Sequence, residues 1–494
     1  MDRRTFTLGL PLLAACAADR ATEHATAPDG PYQATGIKIC EADSNSATVW
    51  TRTTAKAERV GPEGGIPVIR YKDGRTGELT SEPSNGRHHE AVGPFPDGDD
   101  VHKLEGAAPG APGETRVRYR KQGADEWSET AWGPVAADAD FTRHIELAGL
   151  EPGSRYELEV EARPAGADAA SSKIAGGFKT APPPEDDSPR TFVVSTCTAY
   201  PDRDLPDGYK MYARMLELDP EFFVHTGDVV YYDKLAKNQS LARWHWHRMY
   251  SLPTNVDFHR QVSSYFIKDD HDVWMNDCWP TMETKYMGDF TFEQGQRIFP
   301  EQTAQKQPSY RTVRWGKDLQ VWFPEGRDYR TPNDIEDGPE KTIWGAEQKE
   351  WLKRTMTESD AAFKLVIGAT PVVGPDRQNK RDNHSNGVFK HEGEEIRAFL
   401  AGLGNAYAIC GDRHWQYVSR DTKTGLMEFA VGSASDEHAG GFKMDLRTDE
   451  HLYLNIVGGF FSGTVERVDG KPRLTLRHYS VDGKVLNEVV RESV

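Results

Sequence analysis

Five short apolar runs in the second half of the chain each end in residues able to hold a metal or an anion. TFVVS (191–195) is followed by Thr196-Cys197-Thr198, and EFFVHT (221–226) by Gly227-Asp228-Val229-Val230-Tyr231. SSYFIK (263–268) leads into Asp269-Asp270-His271-Asp272, LQVWF (319–323) into the EGRDYR segment carrying Arg327, and AYAIC (406–410) into Gly411-Asp412-Arg413-His414. Carboxylate and phenolate oxygens suit Fe(III), Ca or Mn, while imidazole and thiolate suit borderline ions such as Fe or Zn. The Asp228 carboxylate could bridge two ions, with the Tyr231 phenolate reaching one of them. Two adjacent metals can clamp a phosphoryl group, activate a water and stabilise an in-line displacement. The DDHD segment alone reads equally well as a solvated turn; five such endings together do not.

Those endings need a scaffold that brings them to one edge. The apolar runs, together with FKLVIGA (363–369), alternate with helical patterns at 207–217, 343–356 and 393–403. Trp344, Trp351 and Leu352 form a core stripe on the middle helix. Such alternation predicts an α/β domain over 190–494, in which sites assemble where strands end. Asp469-Gly470 and Asp482-Gly483 lie between alternating strands and read as hairpins that extend or cover the sheet. Upstream, residues 31–181 alternate as strands do, and Pro152-Gly153 followed by a Tyr156-centred strand resembles a fibronectin- or immunoglobulin-like sandwich with its tyrosine corner. Residues 58–115, rich in Gly, Pro and charge, read as an insertion, and APPPEDDSPR (181–190) as the linker.

The chain has 494 residues and a formal charge of −17, which opposes a role in coating polyanions, so no nucleic-acid-binding surface is expected. Residues 1–30 read as an export signal and tether. MDRRTFTLGLPLLAACAADR has the order of a signal peptide, its Arg3-Arg4 pair resembles a twin-arginine signal, and Leu13-Ala14-Ala15-Cys16 resembles a lipobox that would lipidate Cys16. The expected location is exported: periplasmic, outer-membrane-attached or extracellular. The remaining cysteines are too scattered for a disulfide scaffold, and Cys278 and Cys410 read as buried thiols.

GDVVY (227–231) matches the GDxxY motif of the calcineurin-like metallophosphoesterases; KDDHD (268–272) stands where that superfamily has GNHE, and GDRH (411–414) where it has GHxH. With Cys197 and EGRDYR (325–330), the ordered set resembles the PhoD-like alkaline phosphatases from the signal to about residue 435. The resemblance implies a metallophosphoesterase layered fold, with mixed β-sheets flanked by helices, preceded by an all-β sandwich. It implies Fe3+ and Ca2+ as cofactors, with other divalent metals as alternatives. On this resemblance Asp228 is the bridging ligand, Cys197 and Tyr231 are iron ligands, and Asp270, Asp412 and His414 complete the metal set. His271 faces the substrate, Asp272 orients it, Asp269 supports the site, and Arg327 holds the substrate phosphate. Asn383 and His384 are candidates for lining the cleft, as are the aromatics Trp244, Trp246, Trp274 and Trp415.

Three departures mark a subfamily. The run after residue 363 lacks the superfamily's histidine, Asp270 replaces its asparagine, and Glu325 stands where the arginine motif often has Asp. The expected activity is phosphate-ester hydrolysis by attack of a metal-bound hydroxide, carried out by a monomer. Two alternatives remain at this point: a phosphodiesterase or phospholipase-type diester hydrolase, and a non-catalytic surface glycan-binding protein with structural calcium.

Overall fold

The computed structural model describes residues 30–83 and 88–493. The twin-arginine pair and Cys16 lie outside the described residues. The catalytic half is built on two stacked sheets. In the first, the parallel strands Arg190–Ser195, Phe222–His225 and Ser263–Phe266 lie side by side. In the second, Leu319–Phe323, Phe363–Gly368 and Ala406–Cys410 are likewise parallel neighbours. Their facing sides bury Phe192, Val194, Phe222 and Val224 against Val321, Leu365, Ile367 and Ile409. Strands packed on both faces read as continuous apolar runs rather than alternating ones, which is why these were visible in the sequence.

Helices cover the outer faces. Lys210–Leu216, Gln239–Tyr250, Pro253–His259 and Phe292–Thr303 pack on the first sheet, while Ala346–Glu358 and Lys390–Gly402 pack on the second. Trp344 and Leu352 are buried in the second group, with Trp351 packed against it. Both Asp-Gly turns form hairpins, and the strand Phe460–Val468 pairs antiparallel with Arg190–Ser195, so the C-terminal segment widens the first sheet.

The N-terminal strands join the same sheet. Ile37–Cys40 pairs in parallel with Ser263–Phe266, and Ser46–Arg52 and Thr142–Ala148 continue outward from it. A second sheet, built around Glu114–Lys121, Arg155–Arg163 and Ser172–Lys179, closes a separate apolar layer containing Ile39, Val49, Val117, Leu158 and Val160. The Tyr156 hydroxyl accepts the Glu151 backbone N–H at 2.8 Å, the tie expected of a tyrosine corner. The sandwich thus shares a sheet with the catalytic half rather than hanging from the linker. The linker itself is held, since Asp186 accepts the Lys317 backbone N–H through its carbonyl at 2.7 Å and pairs with Arg190 at 2.6 Å.

The 58–115 insertion folds as a small three-stranded sheet, Arg70–Asp73, Leu79–Thr80 and His89–Val92, with a 3-10 helix at Gly98–Lys103. It packs on the helical layer of the catalytic half, where Tyr71 stacks on Tyr286 at 4.9 Å and the Trp244 indole N–H donates to the Glu105 carbonyl at 2.9 Å. Trp244 and Trp246 are therefore core residues rather than cleft aromatics. Within the same helix His247 pairs with Asp140 and His245 accepts from Arg248, so the WHWH segment is structural. No helix among the described residues is long and apolar enough to cross a membrane.

Candidate active site

The C-terminal ends of both sets of parallel strands converge, and the loops leaving them supply the site. Close backbone approach explains the two Gly-Asp turns. A Cβ on Gly227, whose φ is +103°, would lie 2.6 Å from Cβ of Asp269, and one on Gly411 would lie 2.5 Å from the hydroxyls of Thr196 and Thr226. Only glycine lets these loops touch. Three proposed ligands sit in the left-handed region that L side chains rarely occupy: Cys197 at φ 53°, Asp228 at 55° and Asp412 at 59°. Such conformations persist where the surroundings over-determine them, and functional sites are where they gather.

Asp228 is the hub. Its carboxylate lies within 4.8 Å of donor atoms from Cys197 and His414, from Asp270 and His271, and from Asp269 and Asp412. The Cys197 thiol reaches Asp228 Oδ2 at 3.4 Å, and the Tyr231 hydroxyl donates to the same oxygen at 3.2 Å while lying 3.4 Å from His414 Nε2. Every ligand candidate read from the sequence is thus brought to one place. A further triplet, Asp270, Asp277 and Asp382, is already compensated by Arg327 and Lys380.

The electrostatics of this cluster fit a cation. Burial, reinforced by the carboxylates of Asp270, Asp269 and Asp272, holds the Asp228 carboxyl well above its ordinary pKa. Burial and the Asp228 charge do the same to the Cys197 thiol and the Tyr231 phenol. Asp228 Oδ1 is buried with no hydrogen-bond partner among the described residues. A desolvated acceptor without a donor is costly, and a bound metal would satisfy it and reverse all three shifts at once. Thiolate, phenolate, imidazole and carboxylate together make a donor set for a charged metal pair. The raised thiol pKa also argues against Cys197 as a free nucleophile.

Three assignments require correction. Asp272 does not orient His271. Its Oδ2 accepts the Asp269 backbone N–H at 3.0 Å and its Oδ1 accepts that of Val230 at 2.9 Å, so it caps the short helix Asp270–Val273 and ties it to the GDVVY loop. His271 Nδ1 is instead bonded to Asp233, whose other oxygen accepts the Asn276 backbone N–H at 2.8 Å. Arg327 is not exposed to a substrate at all. It is 0% accessible, with Nε donating to Asp269 Oδ1 at 2.5 Å and Nη2 lying 3.7 Å from Asp270 and 3.4 Å from Asp382. Asn383 and His384 are also interior: Asn383 bonds Asp376 at 2.9 Å and His384 bonds Glu392 at 2.9 Å. Trp274 and Trp415 are buried as well.

Two side chains that touch this centre escaped the sequence reading. Asp233 stands two residues beyond Tyr231, in a place where the Gly-Asp motif had already been counted as complete. His438 comes from the Gly/Ser-rich loop after the strand Met427–Ala430, a sixth strand ending that carried no motif. Its Nε2 lies 2.9 Å from the Tyr231 hydroxyl and its Nδ1 2.8 Å from Asp202, with its ring 4.1 Å from that of His414.

The EGRDYR loop is pinned to this centre from behind. Lys268 bridges Glu325 at 3.1 Å and Asp328 at 2.6 Å, and Glu325 Oε1 accepts the Arg327 backbone N–H at 2.7 Å. With Arg327 on Asp269 and Asp270, these contacts fix the turn that carries Asp270.

A family model described as PhoD-like phosphatase matches residues 192–455. The solved structure of PhoD superposes with a TM-score of 0.69 at 15% identity, covering 94% of this chain and 91% of that one. The purple acid phosphatase PPD1 from seeds of yellow lupin (Lupinus luteus) superposes with a TM-score of 0.56 at 12% identity, over 92% of this chain and 73% of its own. No curated protein sequence matches the chain. The matched segment spans every strand ending that supplies the centre, and the chain belongs to the PhoD-like phosphatase family as a metal-dependent phosphoesterase.

Proposed function

We propose that the chain hydrolyses phosphate monoesters at a mixed centre of ferric iron and calcium, which the donor groups gathered around the Asp228 carboxylate would hold. The convergence of three donor groups on the one Asp228 carboxylate carries this reading. Cys197, Tyr231 and His414 supply the soft and phenolic donors suited to iron; Asp270 and Asp412 supply the oxygens suited to calcium. When bound, the metals supply Lewis acidity that stabilises charge on the phosphoryl oxygens and lowers the pKa of water.

The protein's own groups do the rest. Asp233 fixes the ring of His271 through Nδ1, leaving Nε2 as its remaining functional atom. Although burial opposes it, the carboxylates of Asp233, Asp270 and Asp228 raise the His271 pKa well above its ordinary value, and with Nδ1 on Asp233 the ring is placed to pass a proton to the departing alkoxide. Asp272 and Arg327 keep the DDHD turn rigid. The Asp202–His438 pair holds the Tyr231 hydroxyl from the opposite side. The N-terminal reading adds export by the twin-arginine route, with lipid attachment at Cys16.

The test is bound-metal analysis of the purified protein, then p-nitrophenyl phosphate against bis-p-nitrophenyl phosphate with and without chelator. Iron plus calcium, chelator-sensitive turnover and preference for the monoester are expected. Preference for the diester would move the activity to the diesterase class, and calcium alone without turnover of either ester would overturn the proposal.

A further inference from the structure

Removing Arg327 from the cleft leaves the substrate phosphate without its expected guanidinium. The arginines around the centre differ sharply in what they have left to offer. Arg327 is saturated by Asp269, Asp270 and Asp382; Arg330 is buried on Asn333 and the Asp382 carbonyl; Arg413 is buried on Asp376 and against Asp412. Arg377 is not spent in this way. Its side chain is 29% accessible, and its one hydrogen bond among the described residues runs from Nη1 to the Gly441 carbonyl at 3.3 Å. Asp376 Oδ1 lies 3.5 Å from Arg377 Nε, while its Oδ2 takes Arg413 at 2.6 Å and Asn383 at 2.9 Å. Buried guanidinium nitrogens without a hydrogen-bond partner among the described residues occur in Arg330, Arg377 and Arg413 alike, so it is accessibility that sets Arg377 apart.

Its position is built rather than incidental. The guanidinium lies 5.1 Å from the Trp415 ring, which packs at a tilt against Phe442 with ring centres 4.8 Å apart. Trp415 directly follows the ligand candidate His414, and the Gly440 backbone N–H donates to the His414 carbonyl at 2.9 Å. The charge of Arg377 is among those that lower the His414 pKa, after burial, His438, Arg413 and His271. Gly441 takes φ +81°, a conformation that favours glycine, and a Cβ there would crowd Arg377 Nη1 at 3.0 Å. The loop 374–383 thus sets a planar, aromatic-backed fork beside the metal ligands with most of its donors free, the form of donor that reads phosphate oxygens two at a time.

We infer that Arg377, and not Arg327, is the guanidinium that binds the substrate phosphate. The inference rests on the phosphoesterase reading, and it makes the ligand a phosphoryl group whose non-bridging oxygens are shared between the metals and this residue. Arg413 and Asp376 act behind it: Asp376 gives Oδ2 to Arg413, while its Oδ1 accepts the Arg377 backbone N–H at 2.6 Å and lies 3.5 Å from Nε, which positions the base of the guanidinium and leaves its outer edge free. Lys380 does not substitute, because Asp277 holds it at 2.6 Å.

The experiment is calorimetric titration of metal-loaded wild type, Arg377→Gln and Arg377→Lys with inorganic phosphate, alongside KM and kcat for p-nitrophenyl phosphate and bound-metal analysis. Arg377→Gln should weaken phosphate binding by at least about tenfold, the scale of a lost charge-assisted contact. It should raise KM similarly and leave metal content at the wild-type level. Arg377→Lys should recover part of the affinity. Phosphate affinity in Arg377→Gln equal to wild type, with metal intact, overturns the inference while leaving the phosphoesterase reading standing. Loss of affinity accompanied by loss of metal also overturns it, by making Arg377 a structural residue. A wild type that neither binds phosphate nor turns over ester removes both readings together.

Discussion

Arginines and carboxylates are paired in two regions of this molecule with opposite physics. On the strand Glu114–Lys121, Arg116, Arg118 and Arg120 alternate with less polar positions and face Glu161, Glu159 and Glu157 on the neighbouring strand at 2.8, 3.0 and 2.8 Å. These pairs stand on the wet side of a sheet whose other face buries Val117, Leu158 and Val160. At the DDHD turn the same chemical groups are adjacent in sequence, and Arg327 is 0% accessible against Asp269. Spacing makes the difference. Charges two apart on a strand share one solvated face. Charges side by side at the end of a buried strand must be neutralised by something the strand does not contain. The ladder is a half-buried stabiliser of small worth, whereas the turn, capped by Asp272, also depends on counter-charges brought from remote loops.

The comparison breaks most sharply at its hub. Asp228→Asn removes the one carboxylate shared by three donor groups. Losing an outer partner of a metal ligand costs about 10–100-fold, so losing the shared ligand should cost activity more than about 100-fold, with bound metal falling in parallel. Normal metal content with normal turnover would sink the bridging role.

Arg327→Met should come next. It strands Asp269, Asp270 and Asp382 in the interior, and removing one partner of a buried pair costs about 3–5 kcal/mol. An early unfolding transition by thermal scan is expected, together with weak metal retention. If instead the variant folds and holds metal like wild type but loses phosphate affinity, Arg327 contacts substrate after all.

How much of this was legible depended on the kind of information. Strand endings were readable because buried parallel strands are apolar runs and Gly-Asp is a conspicuous stop; among the residues at those endings, the resemblance to the PhoD-like family picked out Cys197, Asp228, Tyr231, Asp270, Asp412 and His414. Burial of a charge was not readable. The segment holding Arg327 gives no hint that three aspartates from two other loops close over it. Nor could the sequence show that a single helical turn at 270–273 points Asp272 back at Val230 and leaves His271 to Asp233. The helix Gln239–Tyr250 was missed because nine of its residues are buried, leaving no polar stripe to reveal its period. The helix Phe292–Thr303 carries Pro300 and Gly295, and the glycine is required because a Cβ there would strike the Val273 carbonyl of the DDHD turn. The pairing of Ile39 with Ser263, which merges the sandwich into the catalytic sheet, is a long-range contact that leaves no trace in local alternation.

A pH series sharpens the electrostatic side of the contrast. Burial pushes Asp269 up to about 6 and Asp272 up to about 7, and it also raises Asp228. A carboxyl raised in the folded state binds more protons folded than unfolded, so its contribution is greatest below its unfolded pKa and is lost as pH rises through the folded value. His271 is raised too and has the same sign. Opposing them, Arg327 and its neighbours hold Asp270 low despite its burial, and Lys380 and Arg327 do so for Asp382. Metal binding must displace protons from its ligands. The difference in thermal midpoint between metal-loaded and chelated protein should therefore widen from pH 5 to pH 8. A difference independent of pH would show that the ligands are already deprotonated without metal.

Smaller still is the effect of Asp233→Asn, which keeps shape and removes charge from the partner of His271. Loss of that partner should lower kcat about 10–100-fold with metal content unchanged. The pH–rate profile should shift with it, because Asp233 is the first carboxylate that raises His271. A fall in KM-derived binding alone, with kcat intact, would place His271 outside the proton transfer.

The smallest effect belongs to the ladder. Arg118→Ala should change stability by no more than about 1 kcal/mol, the range of exposed pairs. Glu159 has a second partner, Lys173 at 3.0 Å, so the single Glu159→Ala variant removes two contacts at once. A double-mutant cycle of Arg118 with Glu159 isolates the pair, and a coupling of about 0.2–1 kcal/mol is expected. Because solvent reaches the pair, that coupling should shrink as salt is raised and the Debye length falls towards about 3 Å at 1 M. The Arg327 cluster should keep its worth in the same salt series, since no ions reach it. A ladder coupling as large and as salt-insensitive as the loss in Arg327→Met would mean that burial, and with it the metal centre's dependence on remote counter-charges, is not what separates the two regions.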